Sequence, residues 1–148
     1  MNSVDEILDY AIGQEQEAAD FYASMAQTAE KHGMKDTFME FSREEERHRD
    51  KLLEVKQGDQ ELHAHAEVID LKISDYLVEV ETGKDISYQD ALIVAMKRER
   101  AAFKLYSDLA EKVHEEQLRQ VFIGLAKEEA KHKLFFESEY DERVLRDN

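Results

Sequence analysis

The sequence predicts an all-α fold, a four-helix bundle made of two helical hairpins joined by a long crossover. Three observations carry this. The 148 residues include no Pro and only five Gly, so little interrupts helix propagation. Apolar residues recur over four long segments with the period of a helix buried along one face. The chain also repeats itself at an offset of 84 residues, through two helices and their turn, without a gap.

The first helix is expected from about Ser3 to Lys31, opened by Ser3 and Glu6 at capping-box spacing. Gly33 separates it from a second helix, about Lys35 to Gln57. A third helix runs from about Gln89 to Val113, with Ser87 and Asp90 as a weaker cap, and a fourth from about Glu115 to Arg143. Gly58 and Gly83 punctuate the segment between the hairpins, while Gly13 and Gly124 lie inside helical patterns. That segment is too long for a tight turn and too patterned for a structureless loop. Its Ile69, Ile73, Tyr76, Leu77 and Val80 predict a shorter crossover helix. One domain over 1–148 results, with hairpins at 3–57 and 87–143 around a crossover at 58–86. At this length a domain hides roughly 70% of its unfolded surface, enough for a substantial core.

Composition narrows the function. Zero cysteines exclude a zinc ribbon, a rubredoxin-type iron site, a thiolate iron-sulfur cluster and a thiol nucleophile within this chain. Any electrons used in its chemistry must come from elsewhere. The 35 Asp and Glu against 20 Lys and Arg give a net charge of -15, which repels phosphate backbones and anionic lipid heads. Neither nucleic acid nor a membrane is expected as a partner. The start, Met1 to Glu6, lacks the basic and apolar stretches of a signal peptide, and no run approaches the roughly 20 apolar residues that span a bilayer. A cytoplasmic location is the simplest expectation.

The repeat carries more than composition. Ala11, Glu15, Ala18, Tyr22 and Ala26 recur as Ala95, Glu99, Ala102, Tyr106 and Ala110. Phe38, Glu44, Glu45 and His48 recur as Phe122, Glu128, Glu129 and His132. Alanines alone could match by composition in charged helices, but paired Glu-x-x-His motifs at one offset argue against that.

Charged residues then fall on faces that should be apolar. The seam of the first helix runs through Val4, Ala11, Ala18 and Met25 beside Leu8, Glu15 and Tyr22. In the third, Leu92, Glu99, Tyr106 and Val113 alternate with Ala95, Ala102 and Leu109. The second interleaves Phe38, Glu45 and Leu52 with Phe41, His48 and Val55, and the fourth Leu118, Leu125 and His132 with Phe122, Glu129 and Phe136. Four carboxylates facing one core oppose folding unless cations neutralise them, and two divalent metals balance four glutamates. One Glu from each of two helices plus Glu-x-x-His from each of the other two is the donor set of di-iron and di-manganese bundles. Residues at i and i+3 share a helix face, so each motif can bring a bridging carboxylate and a terminal imidazole to one metal pair. The expected metal ligands, through which any catalysis would run, are therefore Glu15, Glu45, His48, Glu99, Glu129 and His132, with Glu45 and Glu129 bridging. Mixed carboxylate and imidazole donors suit iron or manganese better than calcium.

Other polar residues read differently. Glu17, Glu44, Glu46 and Glu128 sit beside the seam, where solvated helix surface is expected. His63 and His65 read as surface-loop residues, with transition-metal binding the lesser alternative. Tyr22 and Tyr106 follow Glu15 and Glu99 by seven residues, about two turns, as core filler or as hydroxyl donors to a metal-bound carboxylate.

Together these residues resemble the rubrerythrin family of the ferritin-like superfamily. Ala11 through Tyr22 and Ala95 through Tyr106 look like its first and third helices, and Glu44-Glu45-Glu46-Arg47-His48 and Glu128-Glu129-Ala130-Lys131-His132 look like its metal-binding motifs. Asp70 through Leu77 is similar to short single-domain members. The resemblance implies a ferritin-like bundle holding two iron ions, with manganese or a mixed pair as alternatives. It also implies reduction of hydrogen peroxide, an oxidative-stress activity, with electrons from a rubredoxin-like domain that the described pattern here lacks. Members of the family place a seventh carboxylate three residues after the third-helix glutamate, and this chain has Ala102 there. Three readings follow: a di-iron oxidoreductase reducing peroxide or dioxygen with an external electron donor, a non-catalytic iron-handling protein, or a helical interaction module. A homodimer is a further expectation, resting on the family resemblance and exposed apolar seams.

Overall fold

The computed structural model describes residues 2–58, 68–78 and 86–145. Four long helices dominate it: α1 (Val4–Ala29), α2 (Lys35–Lys56), α3 (Tyr88–Lys112) and α4 (Glu116–Tyr140). The capping box forms, with the Glu6 amide donating to Ser3 Oγ at 3.1 Å and the Ser3 amide to Glu6 Oε1 at 3.0 Å. Ser87 caps α3 in the same way, its Oγ accepting from the Asp90 amide at 3.1 Å.

The hairpins turn differently despite their common register. After α1, a 3-10 turn at Glu30–His32 leads into Gly33 at φ 71°, and the Met34 amide closes back on the Ala29 carbonyl at 2.9 Å. Gly33 holds a left-handed conformation that costs a side-chain-bearing residue more. The second hairpin crosses through extended Val113 to Glu115, and Glu115 Oε1 accepts from the Gln117 amide at 3.0 Å. Glutamine stands at 117, where the repeat would align with Gly33, so α4 begins with no glycine turn. Its far end widens into a π-helical turn at Asp141–Leu145. There Arg143 donates to the His32 carbonyl at 3.1 Å, pinning the fourth helix to the first hairpin's turn.

The expected crossover helix does not form among the described residues. Val68–Ile69 instead makes a short strand, β2, antiparallel to β1 at Asn2–Ser3, and Ile73–Tyr76 makes a single 3-10 turn. Ile69, Leu71 and Tyr76 are buried while Leu77 is 64% exposed. The apolar spacing reflects three anchor points on the bundle rather than one helical face. Val80 lies outside the described residues, as do His63 and His65.

Two apolar clusters fill the bundle. One combines Ile7, Leu8, Leu52, Leu109, Leu118 and Phe122 with the crossover residues, and the other Tyr22, Met25, Phe38, Tyr88, Leu92 and Phe136. Between them lies a layer of buried acids and imidazoles.

Gly13 and Gly124 sit exposed in helix interiors, and a Cβ at either would meet nothing within 4 Å. Replacing both by Ala is expected to stabilise the fold by about 1–2 kcal/mol, since glycine costs about 0.8–1 kcal/mol per helix position relative to alanine. Urea denaturation measures this, and an unchanged midpoint would contradict it.

Candidate metal centre

Each helix contributes its expected polar seam residue to the central layer. Glu15 on α1, Glu45 and His48 on α2, Glu99 on α3, and Glu129 and His132 on α4 are all buried. They form two groups, Glu15, Glu45, His48 and Glu129, and Glu45, Glu99, Glu129 and His132. In each group one donor atom per residue lies within 4.8 Å of the others. Glu45 and Glu129 belong to both.

The donor atoms fit a cation pair. Glu15 Oε2, Glu45 Oε1, Glu99 Oε2, Glu129 Oε2 and His132 Nδ1 are buried without a hydrogen-bond partner. Such orphans are few in native proteins and each carries a desolvation penalty of about 1–3 kcal/mol. Here one falls on each of the four glutamates, and two of the five, Glu45 Oε1 and His132 Nδ1, lie 3.2 Å apart as an ion pair. A bound cation would satisfy them at once.

Hydroxyl donors complete the carboxylates across the bundle. Tyr106 Oη donates to Glu15 Oε1 at 2.6 Å, and Tyr22 Oη donates to Glu99 Oε1. Each tyrosine thus serves the glutamate of the opposite hairpin, not the one two turns before it on its own helix. Burial and then the facing glutamate hold both phenols well above their usual pKa, so both remain donors.

In the absence of cations, protons do the neutralising. Burial alone would lower the His48 pKa, but Glu15 and Glu45 overcome it and lift the imidazole to about 10. His132 behaves likewise, lifted to about 11 by Glu45 and Glu99. Burial and the Glu45 charge raise Glu15 to about 8, and burial with three neighbouring carboxylates raises Glu129 well above the usual range. Burial also pushes Glu45 upward, yet His132 and His48 bring it down to about 2. Glu45 lies between the two imidazoles, with His132 Nδ1 at 3.2 Å and His48 Nδ1 at 3.4 Å, and His48 Nδ1 also meets Glu129 Oε1 at 2.7 Å.

A pH dependence follows. The raised histidine values favour the native state below pH 6.5, and that stability is lost as pH climbs through about 10 and 11. The raised Glu15 value acts in the same direction between 4.5 and about 8. Metal-free protein is expected to weaken steadily from about pH 5 upward, whereas metal loading should improve over the same range because metals compete with those protons. Denaturation with chelator at pH 5.5, 7 and 9 tests this. A rise in metal-free stability with pH would contradict the assignment.

Sequence reasoning missed Glu44. Rather than solvated surface, it is half-buried, and its Oε2 pairs with His132 Nε2. That contact fixes the ring so that Nδ1 faces the glutamates, the arrangement by which a carboxylate orients a ligating histidine. No equivalent bond joins Glu128 to His48 among the described residues. Periodicity on α2 could not reveal Glu44, because its partner comes from α4. Glu44→Gln is expected to reduce metal affinity about tenfold and Glu128→Gln to leave it within twofold. Equal effects in a metal titration would count against the role.

A cavity of about 30 Å³ reaches the four glutamates between α1 and α3. Its walls include Ala18 and Ala102, and Tyr76 of the crossover lies over it.

A rubrerythrin family model matches residues 6–140. The chain belongs to the rubrerythrin family. No curated protein matches it. The match covers all four helices, so this rubrerythrin is an all-α bundle whose buried Glu and His cluster can hold metal. No helix among the described residues is long and apolar enough to cross a membrane.

Proposed function

We propose that this rubrerythrin holds two iron ions and reduces hydrogen peroxide or dioxygen, drawing electrons from an external donor. The observation that supports this most is the pair of donor groups sharing Glu45 and Glu129, with a small cavity opening onto the carboxylates. Glu15 and His48 would hold one ion, Glu99 and His132 the other, and the shared glutamates would bridge them. When bound, two ferrous ions supply the two electrons that, with two protons, turn one peroxide into two waters. The chain's own part is positional: Tyr22 and Tyr106 orient the terminal carboxylates, Glu44 orients His132, and the apolar clusters on either side exclude bulk water. Manganese or a mixed pair suits the same donors.

Ala102 favours a second reading. It stands where the family resemblance expects a carboxylate that exchanges with a histidine, so turnover should proceed with both histidines bound throughout. Without exchange, the same site could oxidise once and serve iron handling. Anaerobic stopped-flow mixing of ferrous protein with peroxide, then with dioxygen, separates the two. Rapid oxidation by one peroxide per metal pair, repeated with a reductase, supports the enzyme. Failure to cycle at full loading with a competent reductant supports iron handling. A cytoplasmic homodimer served by a separate reductant completes the proposal.

A further inference from the structure

The 84-residue repeat makes each hairpin a control for the other, and the two differ in charge. Over 4–56 there are 14 Asp and Glu against 7 Lys and Arg, and over the equivalent 88–140 there are 10 against 9. The first hairpin therefore carries most of the excess negative charge of the two, and the second is nearly balanced.

The hairpins also differ in what they show to solvent. A groove of about 510 Å³ runs along α3 and α4, with Phe103, Ile123 and Ala130 among its apolar walls. Phe103 is 38% exposed, and Leu134, one turn beyond Ala130, is 61% exposed. At the places equivalent to Ala130 and Leu134, α2 carries Glu46 and Asp50, which are 48% and 63% exposed. The bundle thus keeps its register with carboxylates at these two positions, so folding does not require apolar side chains there.

Charges of both signs edge the groove. Because α3 and α4 run antiparallel through their short connection at 113–115, Phe103 and Lys127 lie toward one end, Glu111 and Arg119 toward the other, and Ser107 between them. Glu111 and Lys127 are exposed and have no ion-pair partner among the described residues. A two-fold axis over the middle of the groove maps this arrangement onto itself. Lys127 of one copy then meets Glu111 of the other, and the Phe103 ring meets the Arg119 guanidinium, a cation-π pairing.

We propose that two copies of this chain associate face to face through the α3–α4 groove about a two-fold axis. This rests on the homodimer reading above and assigns its face. Two chains of net charge -15 repel each other, so contact is favoured where charge is locally balanced and apolar side chains are exposed. A different, anionic partner would call for cations alone, whereas both signs in one groove suit a second copy.

Sedimentation equilibrium of the metal-loaded protein measures the association. Ala130→Glu with Leu134→Asp installs the first hairpin's own residues and is expected to weaken the dimer at least tenfold, with helicity and metal content unchanged. Glu46→Gln with Asp50→Asn, on the matching face of α2, should change it less than twofold. Glu111→Lys should weaken it about tenfold, and adding Lys127→Glu should restore most of the loss. The chain has no cysteine, so a short bismaleimide should link Ser107→Cys chains in pairs and leave chains carrying Ala23→Cys, at the equivalent place on α1, unlinked. Unchanged association in the Ala130→Glu, Leu134→Asp variant, absence of charge rescue, or linkage through position 23 instead of 107 would overturn this face while the homodimer stands. A wild-type chain that sediments as a monomer throughout would overturn both and leave the groove to another occupant.

Discussion

Stripping the metals is expected to lower the melting temperature by roughly 10–20 °C. Four buried carboxylates share one layer, and five donor atoms there have no hydrogen-bond partner. A ligand present at a hundred times its dissociation constant stabilises the native state by about 2.7 kcal/mol, so two such sites give about 5 kcal/mol. For a domain of this size each kcal/mol moves the midpoint by about 2–4 °C. Scanning calorimetry with chelator, and then with two equivalents of ferrous or manganous ion under anaerobic conditions, measures the difference. Coincident transitions would mean that the polar layer is satisfied by protons alone and that the metal assignment fails. The native ion should give the larger shift, and metal analysis of protein purified without added metal identifies it.

Glu45→Gln and Glu129→Gln are expected to abolish metal loading alike and to affect the metal-free protein in opposite degrees. Both residues belong to both donor groups, so losing either removes a ligand from each metal position. In the metal-free protein their charges differ. Burial and three neighbouring carboxylates push Glu129 well above the usual carboxylate range, and an amide there keeps an oxygen for the His48 Nδ1 contact at 2.7 Å, so stability should change by less than about 1 kcal/mol. Glu45, held low by His132 and His48, is the carboxylate that both imidazoles share, and neutralising it removes an ion-pair partner from each of them at once. Removing one partner of a buried ion pair costs about 3–5 kcal/mol. Metal content by elemental analysis and urea denaturation with chelator read the two effects separately. Equal metal-free stabilities for the two variants would refute the charge assignment, and retained loading in either would refute the bridging one.

The legible part of this protein was its periodic part. Helix positions and the inward turn of Glu15, Glu45, His48, Glu99, Glu129 and His132 followed from seam spacing, because a helix maps sequence separation onto direction with little freedom. The six residues then converged because the 84-residue repeat places equivalent seams at one level of the bundle. Tyr22 and Tyr106 were legible as core residues but not in their partners. Each bonds the glutamate of the other hairpin, a fact about packing between helices rather than along one.

The crossover escaped for a different reason. Ile69, Tyr76 and Leu77 have helical spacing, yet the segment meets the bundle at separate points, and pairing with Asn2–Ser3 satisfies its backbone where a helix would have bonded itself. An apolar pattern records which residues are buried, not against what.

The sequence by itself determined the bundle, its internal repeat, its charge excess and which Glu and His side chains turn inward, since each is a property of helical periodicity or composition. Only the tertiary structure decided that Glu44 meets His132, that Glu45 and Glu129 belong to both donor groups, and that a small cavity reaches the carboxylates beneath Tyr76. Those features depend on distances between different helices, which are set when side chains interlock in three dimensions and leave no trace in the spacing along any one of them.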